Sequence, residues 1–140
     1  MRKVLLPVDG SEHSDQAARY IAGFVKEHGP VEIHLANVEP EPVAWQTRGM
    51  EDQAIDAHLT ALAHRSMKSA QDILKAAGVP HHTHVKRGDV AQSLAALADK
   101  LGCDTIVIGT RGLGAVSGLA LGSVTRKLLH LSRIPVICVK

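Results

Sequence analysis

Asp104-Thr105-Ile106-Val107-Ile108-Gly109-Thr110-Arg111-Gly112 contains the clearest buried strand of the chain, β-branched through its centre, and it runs directly into a glycine-containing loop. Downstream, Ser123 to Leu131 carries Val124, Leu128 and Leu131 on one helical face, and Ile134-Pro135-Val136-Ile137-Cys138-Val139 reads as a closing strand. Upstream, Gly88-Asp89-Val90-Ala91-Gln92 offers an Asp cap with Gln three residues on, and Val90, Leu94, Leu97 and Leu101 form the inward face of a helix. His82 to Lys86 before it is the third strand. A long helix precedes that strand, with Ala54, Ala57, Ala61, Leu62, Ala70, Ile73, Leu74 and Ala77 as its apolar positions and Gly78 as its stop.

Further back, Val31 to Val38 alternates apolar residues on its odd positions and ends at Glu39-Pro40-Glu41-Pro42, which no sheet interior accepts. Pro40 to Met50 has no period and reads as a loop. Trp45 within it either neighbours a pocket near Val38 or covers the sheet edge. From Ser14, Ala17, Ala18, Ile21, Phe24 and Val25 recur at three and four until Gly29-Pro30, so the first helix lies there. Lys3 to Val8 is a buried strand ended by Asp9-Gly10-Ser11, a turn with a helix cap.

Strands and helices thus alternate throughout. Near-continuous apolar strands joined by helices predict an α/β fold, an open parallel five-stranded sheet with helices on both faces. With right-handed crossovers the strand order is 3-2-1-4-5, which places a switch point between strands one and four. Ligands bind at such points. The carboxyl ends of those strands carry Asp9-Gly10-Ser11 and Gly109-Thr110-Arg111-Gly112, the least scaffold-like residues of the chain.

Composition narrows the function. The 140 residues, 45% hydrophobic and 2% aromatic, suit one domain over residues 1–140 with an aliphatic core, large enough to fold without a disulfide or metal staple. A formal charge of +2 without a concentrated basic face speaks against nucleic acid as partner. The longest uncharged stretch, Gly112 to Thr125, falls short of the roughly 18 residues a spanning helix needs, so no membrane segment is expected. Asp9 ends the first apolar run before it reaches signal-peptide length. Cys103 and Cys138 form no CxxC and read as reduced, packed thiols, which points to a cytoplasmic protein.

The loop after strand four carries the chemistry. Gly109 and Gly112 are followed, nine residues later, by Gly122-Ser123-Val124-Thr125 at a helix start. Glycines let backbone approach a phosphate, and helix N-terminal amides with the Ser123 and Thr125 hydroxyls donate to anionic oxygens. Arg111 either adds a cationic donor or is simply solvated. A flexible loop shaped by Gly112, Gly114, Gly118 and Gly122 is the plain alternative, but the strand before and the helix after favour a phosphate site. It is no P-loop: no Gly-Lys-Ser or Gly-Lys-Thr occurs. A valine at position 122 is expected to fill the cradle and leave the fold intact.

From Val4-Leu5-Leu6-Pro7-Val8-Asp9-Gly10-Ser11 through Gly109-x2-Gly112-x9-Gly122-Ser123 to Ile134-Pro135-Val136-Ile137-Cys138-Val139, the chain resembles the universal stress protein family, of the UspA-like kind. The resemblance implies a Rossmann-like fold of the adenine nucleotide alpha hydrolase type. Its glycine pattern is the mark of the ATP-binding branch. By that resemblance Pro7, Val8 and Asp9 lie against adenosine, Val38 flanks the adenine, and Ile108, Gly109, Arg111 and Gly112 hold ribose and phosphates. Gly122, Ser123, Val124 and Thr125 then bind the phosphates. The ligand is ATP, or ADP or AMP, with magnesium or manganese held largely by phosphate oxygens and water.

No catalytic residue is assigned. A transfer lysine, a water-activating residue and a second carboxylate are missing from the motifs, so a regulatory stress-response role is expected, with at most weak ATP hydrolysis. The alternatives are a slow ATPase or nucleotidyl- or phosphoryl-transfer enzyme, and a nucleotide-free dimeric scaffold. Strand five leaves an uncovered apolar edge, and the family commonly dimerises through it, so a homodimer through Ile134 to Val139 is expected. His81, His82 and His84 suggest an exposed strand rather than a metal site, since two ligands on one strand face are too few. His13, His34, His58, His64 and His130 read as surface or boundary residues.

Overall fold

The computed structural model describes residues 1–112 and 121–140, the Trp45 side chain excepted. Gly114 and Gly118, and the reading of Trp45, lie outside the described residues. Five strands alternate with four α-helices: β1 (Lys3–Pro7), α1 (Glu12–His28), β2 (Glu32–Glu39), α2 (Asp52–Ala76), β3 (His82–Arg87), α3 (Val90–Leu101), β4 (Thr105–Gly109), α4 (Ser123–Leu131) and β5 (Val136–Val139). The loop after β2 contains one 3-10 turn, Ala44–Gln46. All strand pairs are parallel and the order is β3-β2-β1-β4-β5, as the alternation predicts.

Each face of the sheet is sealed by two helices. Val4, Leu6, Val8, Ile33, Leu35 and Val107 pack against Ala17, Ala18 and Ile21 of α1 and Met67, Ala70 and Leu74 of α2. Leu5, Ala36, Val38, Ile106 and Ile108 pack on the other side against Leu94, Leu97 and Ala98 of α3 and Leu128 of α4. β2 therefore departs from the alternation expected of it: Ile33 to Val38 are all buried, because helices cover both faces. The same coverage buries His34, which the sequence places at the surface or its boundary.

Two helix faces also differ from expectation. α2 buries Leu59, Ala63, Met67, Ala70 and Leu74, whereas Ala54, Ala57, Ala61 and Ala77 are exposed. Alanine fits either environment, so it reports the helical face poorly. Leu131, expected inward, stands 45% exposed in the last turn of α4. The chain then turns through a reciprocal bond, in which the Ser132 hydroxyl donates to the Ile134 carbonyl and the Ile134 amide donates back, so β5 begins at Val136 and not at Ile134. No described helix is long and apolar enough to cross a membrane.

Candidate functional site at the switch point

The site begins with the end of β1. The Ser11 amide donates to Asp9 Oδ1 at 3.0 Å, and the Ser14 hydroxyl donates to the same oxygen at 2.8 Å. The Asp9 amide in turn donates to Ser14 Oγ, and Ser11 Oγ caps α1 by accepting from the Ser14 amide. The carboxylate is thus fixed by the turn that starts α1. Asn37, almost fully buried on β2, donates through Nδ2 to the Val8 carbonyl at 2.9 Å and ties the residue before Asp9 to the sheet. Its Oδ1 has no protein partner among the described residues.

The facing wall comes from β4 and α4. The Gly122 amide donates to the Thr110 carbonyl at 2.8 Å, closing the described ends of the loop against each other. The Thr125 hydroxyl donates to the Gly109 carbonyl at 3.0 Å. This corrects the expectation that the Thr125 hydroxyl serves an anion: its one proton is spent on the backbone, and the residue has its amide to offer. Gly122 caps α4 without a side chain, so the amides of Ser123, Val124 and Thr125 are the first-turn donors that a helix leaves without intrahelical partners.

Between the two walls lies a cavity of about 230 Å3. Pro7, Val8, Asp9, Ile108, Gly109, Arg111, Gly112, Gly122, Ser123, Val124 and Thr125 all line it, so residues far apart in sequence meet there. Val38 does not. It is buried in the core with Ile108 and Ala36. Two further residues line it that the sequence places only in helices, Ser14 and Val90. Ser14 was legible from its place three residues after the Ser11 cap. Val90 was legible as the first residue of a helix that starts at the same sheet edge.

A larger hollow of about 590 Å3 lies between the loop after β2 and α2, walled by prolines, Met50, Ile55, Leu59 and Leu62 with Glu39 and Glu41. It has no Lys or Arg among its described lining residues, unlike the cavity that holds Arg111 and the α4 amides. Among the described residues no three His, Cys, Asp or Glu side chains are grouped to hold a metal ion.

The universal stress protein family matches the chain over residues 1–140. The chain belongs to the universal stress protein family. A universal stress protein of Thermus aquaticus, encoded in the QAH/OAS sulfhydrylase 3' region, is 31% identical over 142 residues, covering 99% of this chain and 98% of that one. Universal stress protein Sll1654 of Synechocystis is 30% identical, covering 99% and 85%. Among solved structures, hypothetical protein MJ0577 superposes with a TM-score of 0.83 at 26% identity, covering 99% of this chain and 95% of that one. More distant universal stress proteins share the fold and were solved with nucleotides. One is a complex with cAMP (TM-score 0.71, 23% identity, 99% and 97% covered), and one from Archaeoglobus fulgidus is a complex with dAMP (0.70, 23%, 100% and 98%).

Proposed function

We propose that this universal stress protein belongs to the ATP-binding branch and acts as a nucleotide-dependent regulatory protein, with the adenine nucleotide seated in the switch-point cavity. The observation that carries this reading is the α4 N-terminus. A helix start with no side-chain cap, set beside Arg111 at the carboxyl ends of β1 and β4, concentrates positive potential where an open α/β sheet receives ligands. The cAMP and dAMP complexes of distant relatives support an adenine nucleotide as the occupant.

Magnesium or manganese accompanies a triphosphate in this reading and neutralises its charge. The donor set fits a cation carried by the nucleotide: Asp9 is the one carboxylate among the cavity's described lining residues, and its Oδ1 already accepts from Ser11 and Ser14. Phosphate oxygens and water then complete the shell. β5, half-buried at every residue and paired on one side only, supports a homodimer through this edge.

Mass spectrometry of small molecules released on denaturation, followed by calorimetric titration with ATP, ADP, AMP and cAMP, tests the reading. Retained adenine nucleotide or submillimolar ATP affinity supports it; no binding of any of the four overturns it. Single-turnover incubation with ATP separates a binder from a slow hydrolase, and light scattering reads the dimer.

A further inference from the structure

At the end of the sheet opposite the cavity, β1, β2 and β3 gather Lys3, Glu32, His34, His82 and His84. The buried His34 places Nε2 2.8 Å from Glu32 Oε1 and Nδ1 2.8 Å from His84 Nε2. His82, opposite His34 in the strand register, stacks on its ring at 4.9 Å between centroids. A carboxylate can only accept, so His34 carries a proton on Nε2. Two bare nitrogens would repel at 2.8 Å, so one further proton lies between His34 and His84.

That arrangement counts protons. With both rings neutral, His84 donates to His34 Nδ1. After one proton is added, one ring is an imidazolium and the bond persists, with a single hydrogen between the nitrogens. After a second, two N–H groups face each other and two cations adjoin, and the bond is lost. The rings meet nearly end to end, with centroids 5.0 Å apart, so their lone pairs point at each other and not at a common third point where a metal ion would sit. The occupant that fits is a proton.

We propose that Glu32, His34 and His84 form a one-proton latch that fastens the edge strand β3 to β2 at neutral pH and releases it in mild acid. The surroundings set its direction. From β1, Lys3 Nζ lies 3.8 Å from Glu32. β3 adds His82 and Lys86, α3 adds Lys100 in a groove shared with Lys86 and Arg87, and Cys103 and Asp104 stand at the entry to β4. Burial first, then the His34, Lys86 and His82 charges, hold His84 below the ordinary imidazole value of 6.5. A depressed folded value means that the latch is closed above pH 6.5, and that its contribution disappears as pH falls through the lowered His84 value, where the pair takes up its second proton.

Amide hydrogen exchange of His82 to Arg87, corrected for intrinsic rates, reads the latch between pH 7.5 and 5. Opening of wild-type β3 should rise by up to about tenfold per pH unit below 6.5, whereas His84→Gln, which cannot titrate, should stay flat. Unchanged protection in the wild type overturns the proposal. Nitrogen-15 spectra of the wild-type imidazoles give a second test that needs no variant: His34 must be protonated on Nε2 at neutral pH, and a bare Nε2 overturns it. Titration with zinc or cupric ion alone completes the set. Tight one-to-one binding lost in His84→Gln would replace the latch with a metal centre; absence of binding supports it.

Discussion

Gly122 joins the two halves of the cavity wall, and its substitution tests fold and ligand binding at once. Its backbone (φ −64°, ψ 160°) is open to any residue, so space alone sets the cost. A Cβ there would lie 3.2 Å from Arg111 Cα, 3.5 Å from the Gly112 nitrogen and 3.6 Å from the Thr110 oxygen. Carbon atoms settle at about 3.5–4.0 Å, so in Gly122→Ala the 110–112 backbone must retreat by a few tenths of an ångström. Overpacking of this kind costs about 1–3 kcal/mol, offset by about 0.4–1 kcal/mol from a stiffer unfolded chain. The melting temperature should therefore fall by about 2–6 °C, and further in Gly122→Val. That corrects the expectation of a fold-neutral Gly122→Val, since the added carbons meet backbone before they meet the cavity. Displacing the α4 amides from Arg111 and Gly112 removes about one charge-assisted hydrogen bond to the ligand, so ATP affinity measured by calorimetry should weaken about 10–100-fold. A destabilised Gly122→Val that binds ATP within about twofold of wild type would refute the assignment of this wall.

Asp9 and Cys103 give shorter tests. Asp9→Ala removes the acceptor shared by the Ser11 amide and the buried Ser14 hydroxyl and should cost about 1–3 kcal/mol in urea unfolding, while Asp9→Asn, which keeps an oxygen there, should cost markedly less. Equal midpoints for the two variants would show that the carboxylate does not organise the turn. Burial pushes the Cys103 thiol up to about 11 and raises Cys138 as well, so at pH 8 only about one Cys103 in a thousand is thiolate. Reaction with a thiol-specific disulfide reagent should be slow in the native protein and at least a hundredfold faster in denaturing urea. A fast native reaction at Cys103 would contradict its burial.

The strands and their order were readable because four apolar runs and the short His82 to Lys86 segment, separated by helix signals, leave few right-handed arrangements. The cavity was readable for the same reason: topology brings the ends of β1 and β4 together whatever residues stand there. His34 was not readable. Its partners His82 and His84 lie some fifty positions away, and although the strand order places β3 beside β2, no local period gives the register that brings these side chains together. Leu131 misled for a related reason, because helical spacing continues past the point where α4 leaves the sheet. Val38 follows Ala36 on the same inward face, so a residue at a strand's carboxyl end belongs to the core until the helix covering it ends.

The glycines show where pattern and cause part. A side chain at Gly109 would strike the His13 backbone, with a Cβ only 2.6 Å from its carbonyl oxygen, so this glycine admits the first turn of α1 against β4. At Gly112 the vacant direction is filled by Asp9 Oδ2, and at Gly122 by the Arg111 backbone. Three positions of the motif are therefore explained by the chain's approach to itself, before any ligand enters. The spacing is a rule for closing this wall: α1, the end of β1 and the start of α4 must converge on the end of β4, and only missing side chains permit it. A helix N-terminus brought so close to Asp9 would hold two opposite charges in one small space, the partial positive end of α4 and a carboxylate. The two attract, and Ser11 and Ser14 hold Asp9 Oδ1 on the α1 side, while the first-turn amides of α4 and Arg111 line the same cavity. Anion binding is then a consequence of tight convergence, and any substitution that loosens it should weaken ligand and fold together, in the ratio that Gly122→Ala and Gly122→Val measure.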